Sequence, residues 1–114
     1  MTQHAELTIE RWSEFDLAGH LLQIGVEMHR ACDSLRPDRI ASLRRSYERA
    51  MRLVDLTVEV HPDPHLRLEL LRWRDTVAEL YLQDEPRPEA HRLATKCLLW
   101  LHPQSAEQVP FLPE

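Results

Sequence analysis

The segment from Trp12 to Leu35 carries more apolar circumference than one neighbouring helix can cover, and this constrains the whole chain. Ser13 followed by Asp16 reads as a capping box, with Trp12 before the cap and Leu17 after it at the spacing of a hydrophobic staple. Laid out at about 100° per residue, Phe15, Leu17, Ala18, Leu21, Leu22, Ile24, Gly25, Val26, Met28, Ala31 and Cys32 span well over half of the wheel. Asp16, Gly19, His20, Gln23, Glu27 and Arg30 face the other way. Such a helix, expected over Glu14 to Ser34, has to be covered on two sides, by its own chain and by a second copy.

Three further helices are expected. Pro37 suits the first turn of one that runs to Val60, with Ile40, Leu43, Tyr47, Ala50, Met51, Val54, Thr57 and Val58 as its core stripe. Leu53, Leu56 and Val60 add a second apolar strip in its last turns. Asp63 as cap and Pro64 as first residue open the next helix, which ends near Gln83. The last runs from Pro88 to Leu101 and is expected to bury Leu93, Ala94, Cys97, Leu98, Trp100 and Leu101. Two glycines, no Asn-Gly or Asp-Gly pair and no sustained period-two run leave little room for sheet. The fold expected is therefore all-α: an antiparallel four-helix bundle with a Pro-rich extended C-terminal tail.

At 114 residues the chain is one domain, long enough to bury roughly 65% of its unfolded surface. Residues 1–11 read as a flexible leader, 12–102 as the helical domain and 103–114 as the extended tail. Cys32 and Cys97 both fall on apolar faces and are expected to be buried, reduced thiols, which fits a cytoplasmic location. No signal segment opens the sequence, and no apolar run approaches the ~18 residues of a membrane span.

A net charge of -5 argues against general nucleic-acid binding. The charge is uneven, however: residues 1–33 hold six acidic groups against two basic, and residues 36–52 hold six arginines against Asp38 and Glu48. Attraction between adjacent antiparallel helices accounts for this pattern. An anion or nucleic-acid face through Arg45, Arg49 and Arg52 would lack the aromatics that base stacking uses.

Polar residues that interrupt apolar faces are the other notable feature. Glu27, Arg30, Arg49, Asp55, Glu69, Arg72 and Arg74, with Thr57 and Asp75, are expected to form an internal ion network that specifies packing. The alternative roles are a solvated face, or a pocket in which Asp55, Glu69 and Arg74 take a small polar molecule. Seven histidines invite a metal reading, and His29 lies one turn from Cys32, while His61 and His65 flank Asp63. No Cys-x-x-Cys, no His-Glu-x-x-His and no Glu-x-x-His couple accompanies them, so no metal, cofactor or catalytic residue is assigned. His29 is expected to be partly buried, and His61 and His65 to serve the loop and cap.

The runs Trp12-Ser13-x-Phe15-Asp16-Leu17-Ala18-x-His20-Leu21, Ile24-Gly25-x-Glu27 and Arg30-Ala31 resemble those of a group of small bacterial all-helical proteins with no assigned activity. Tyr47-Glu48-Arg49-Ala50, Asp55-Leu56-Thr57 and Glu69-Leu70-Leu71-Arg72-x-Arg74-Asp75 continue the likeness over residues 12–82. The resemblance implies a helical fold and no particular chemistry.

The function expected on these grounds is a non-enzymatic interaction module that self-associates as a homodimer, with an unidentified protein partner as a further occupant. Leu17, Ile24, Met28, Leu53, Leu56 and Val60 would form the contact surface. The alternatives are a small-molecule or metal binder using the internal charges with His29 or His20, and a toxin-antitoxin or nucleic-acid-associated module using the arginine face.

Overall fold

The computed structural model describes residues 8–112, all of whose regular elements are helical. Six α-helices follow in order: α1 (Ile9–Trp12), α2 (Leu17–Ala31), α3 (Ile40–Val60), α4 (Pro64–Tyr81), α5 (Pro88–Leu99) and α6 (Pro103–Ala106). Short 3-10 turns cover Cys32–Ser34, Pro37–Arg39 and Val109–Phe111.

The first long helix begins later than expected. Asp16, not Ser13, is its N-cap: the carboxylate accepts from the Gly19 amide at 2.8 Å. Ser13 instead closes α1, where its hydroxyl donates to the Glu10 carbonyl at 2.8 Å. The expected leader through residue 11 is thus helical from Ile9, because Thr8 caps α1 and Trp12 drops into the core, 2% exposed; residues 1–7 lie outside the described residues. At the next junction the local reading holds, with Asp63 accepting from the Leu66 amide at 3.0 Å and Pro64 as first helical residue.

The tail is the second departure, since its described part coils into α6 and a 3-10 turn where an extended tail was expected. Pro103 sits at the first position of α6, where a missing amide costs nothing, and His102 Nδ1 accepts from the Gln104 amide at 3.1 Å. The buried Ser105 hydroxyl fastens the turn to the Leu99 carbonyl at 2.6 Å.

The long helices form a closed ring in which α2 and α4 each touch both α3 and α5. Cross-links ascend one helix as they descend the next: Trp12 with Thr57, Glu27 with Arg49 and Ser34 with Ser42 join the α2 segment to the α3 segment in opposite senses. Asp55 with Arg74, and Arg44 with the Tyr81 carbonyl, do the same for α3 and α4. Inside the ring Leu21, Ile24, Met28, Leu43, Tyr47, Leu53, Val54, Leu70, Val77 and Leu98 form the core, together with Trp12 and Trp73. Among the described residues no helix is long and apolar enough to cross a membrane.

Candidate functional site

Helix α5 is apolar on two faces. The inner one, His91, Ala94, Thr95, Leu98 and Leu99, is buried, and the indole of Trp73 donates to the Ala94 carbonyl at 2.7 Å, fixing that face inward. The outer one is Ala90, Leu93 and Cys97, continued by Trp100 at the C-cap, all exposed, with Leu93 at 58% and Trp100 at 55%. Leu93, Cys97 and Trp100 had been expected in the core. Alternating steps of three and four residues make the outer set a two-residue-per-heptad seam, the narrow stripe that packs against another helix. A groove runs beside it between α4 and α5, lined by Glu69, Arg72, Trp73, Thr76, Cys97 and Leu101, with an open volume of about 200 Å³.

The surface expected to self-associate lies elsewhere and is largely enclosed. Ile24, Met28 and Leu53 are each 0% exposed within their own chain, and Leu17, Leu56 and Val60 are half-buried against the same core. Much of the wide apolar arc of α2 packs against α3, α5 and α6 of the same chain. What remains outside on α2 is Leu22 and Val26.

The expected ion network separates into two parts. Glu27, 1% exposed, accepts from Arg49 Nε at 2.9 Å and from Arg30 at 3.2 Å, and Arg49 also donates to the buried Ser46 hydroxyl at 3.1 Å. Asp55 and Arg74 form a second, two-pronged pair at 2.8 and 3.2 Å on the surface between α3 and α4. Glu69 and Arg72 are exposed on the α4–α5 side, so Asp55, Glu69 and Arg74 do not line one pocket. The arginine face is likewise divided: Arg45 and Arg52 are exposed, while Arg49 turns inward to Glu27.

Histidines provide what sequence reasoning missed. His20, placed on the polar arc of the first helix, is 0% exposed and stacked on Trp12 with ring centres 4.4 Å apart. Its Nε2 lies 2.6 Å from the Trp12 carbonyl and its Nδ1 lies 2.8 Å from His61 Nε2. His91, also 0% exposed, bridges the Tyr47 hydroxyl and the Met28 carbonyl, each at 2.8 Å. Burial holds His20, His61 and His91 below the ordinary histidine value and pushes the Tyr47 hydroxyl above the ordinary tyrosine value. A signal for His20 existed: with Ile24, Glu27 and Ala31 it forms a stripe of steps four, three and four that the structure buries in full.

His29 is exposed rather than partly buried. It joins Cys32, Arg92, Thr95, Lys96 and Leu112 around a cavity of about 10 Å³, room for roughly one water. Burial raises the Cys32 thiol above its ordinary value, which disfavours the reactive thiolate, and Cys97 is exposed rather than buried. Among the described residues no group of three or more His, Cys, Asp or Glu side chains is arranged to hold a metal ion. Compared with protein-family models, curated proteins and solved structures, the chain shows no significant match.

Proposed function

We propose that this chain is a non-catalytic interaction module, an antiparallel four-helix bundle that forms a homodimer through the outer face of α5. The observation that carries the reading is the exposed seam Ala90, Leu93, Cys97 and Trp100. Isolated exposed apolar residues are ordinary on a protein surface, but an unbroken seam over three turns containing a tryptophan has the composition of an interface centre.

Self-complementarity favours a second copy as the occupant. Two α5 helices laid antiparallel about a two-fold axis midway between Leu93 and Cys97 set Ala90 against the partner's Trp100 and Leu93 against the partner's Cys97. Small faces large at the outer positions, so knobs meet room. A reducing, cytoplasmic setting suits the reading, since Cys97 then packs as a thiol.

Sedimentation at micromolar concentration tests it: the chain is expected at about twice 13.5 kDa, and Leu93→Lys with Trp100→Lys is expected at the monomer mass. In a Cys32→Ser background a short bismaleimide should link Cys97 to Cys97. A monomeric parent, or a dimer indifferent to both lysines, overturns the proposal.

A further inference from the structure

The contact between His20 and His61 admits one bridging hydrogen and no more. The Trp12 carbonyl can only accept, so His20 Nε2 carries a hydrogen and donates across 2.6 Å. Between His20 Nδ1 and His61 Nε2, 2.8 Å apart, one nitrogen donates and the other accepts. With both rings neutral, His20 Nδ1 accepts from His61 Nε2–H. A first added proton goes to His61 Nδ1 and leaves both contacts intact. A second must go to His20 Nδ1, which would place two hydrogens in one N···N contact.

This chain of bonds is what fixes α1 to the bundle. Beyond its carbonyl, Trp12 is held by its indole, which donates to the Thr57 hydroxyl at 3.0 Å, and by its stacking on the His20 ring. Thr57 passes its own hydrogen to the Leu53 carbonyl at 2.7 Å. The groups facing the histidine pair come from each neighbouring element. Asp16 at the start of α2 acts on His20, the Phe15 ring stands edge-on to it, and Arg67 of α4 donates to the His61 carbonyl at 2.7 Å. Glu10 and Arg11 of α1 are exposed. Among the described residues Asp16 is the acidic group that acts on His20, while Arg67 sits on the His61 backbone, so a second charge on the pair meets little compensation.

We propose that His20 and His61 form a proton-operated latch that holds α1 on α3 and releases it when both rings are protonated. Release would uncover Trp12, a surface separate from the α5 seam. The latch does not depend on dimerisation.

Indole N–H exchange measured by NMR tests the proposal, with Trp73, bonded to the Ala94 carbonyl at 2.7 Å, as the internal reference. Between about pH 7 and about pH 4.5 the protection factor of the Trp12 indole is expected to fall about tenfold further than that of Trp73, which follows the global stability. His61→Gln should keep Trp12 protected at the acidic end, because an amide can donate to neutral His20 and turn to accept from the protonated ring. Three outcomes overturn the latch: Trp12 protected throughout, Trp12 and Trp73 lost together, or His61→Gln releasing Trp12 at the pH of the parent.

Discussion

The Tyr47 hydroxyl donates to Nδ1 of His91 across 2.8 Å, and the opposite ring nitrogen of that histidine donates to the Met28 carbonyl across another 2.8 Å. The relay ties α3, α5 and α2 together at one point inside the ring. Its polarity is determined, because the carbonyl can only accept and burial keeps the tyrosine protonated. Tyr47→Phe removes the donor and leaves Nδ1 without it at a residue that is 0% exposed. The expected loss is about 1–3 kcal/mol in urea denaturation, with unchanged helix content by circular dichroism.

Acid should weaken the fold before it titrates ordinary carboxylates. His20 and His91 are held below the ordinary value of 6.5, chiefly by burial. Below 6.5 the unfolded chain therefore takes up protons that the folded chain refuses. The stabilisation is complete above that pH and is lost as the pH falls beneath it, with a limiting slope of about 1.4 kcal/mol per pH unit for each of the two rings. Urea denaturation free energies are expected to be level from about pH 8 to 7 and to decline between about pH 6.5 and 5. A level series across the lower interval contradicts this reading of the two sites.

The buried ion cluster predicts an asymmetry. Glu27 is 1% exposed, whereas Arg49 is 25% exposed and can turn toward water. Arg49→Met removes the 2.9 Å guanidinium and leaves Glu27 with Arg30 at 3.2 Å, and is expected to cost about 1–3 kcal/mol. Glu27→Leu removes the enclosed charge itself and should cost less. The double variant should be more stable than Arg49→Met alone. Equal single costs that add in the double variant would show that the pair is not coupled.

Features decided within a few residues were legible in the sequence, and those decided by distant partners were not. Asp63 and Pro64 start α4 as read, because cap and proline act on their own turn. Ser13 reads as the cap of the first long helix from its near neighbours alone, whereas Asp16 caps α2 and Ser13 closes α1, whose Trp12 bonds Thr57, 45 positions away. Periodicity placed Leu93, Ala94, Cys97, Leu98, Trp100 and Leu101 together in the core, although they do not share one side of α5. Which side turns inward is set by the Trp73 indole on Ala94 and by Leu99 filling the space at Gly25, so Leu93 and Trp100 were misplaced. For the same reason the wide apolar arc of α2 was legible, whereas the burial of its Ile24 and Met28 within their own chain was not.

Gly25 of α2 lies against α5. A Cβ on Gly25 would stand 3.1 Å from Leu99 Cδ2 and 3.9 Å from Leu99 Cγ. Only the far end of a flexible side chain must yield by a few tenths of an ångström, and alanine gains about 1 kcal/mol of helix propensity. Gly25→Ala should consequently leave stability within about 0.5 kcal/mol of the parent. Gly25→Val forces two further methyl groups into the same space and is expected to cost about 1–3 kcal/mol by overpacking. If Leu99 is the source of that crowding, Leu99→Ala should cost clearly less in the Gly25→Val background than the ~2–5 kcal/mol expected alone. Chemical denaturation of the four-member cycle decides the point, because strictly additive costs would mean that something other than Leu99 keeps position 25 small.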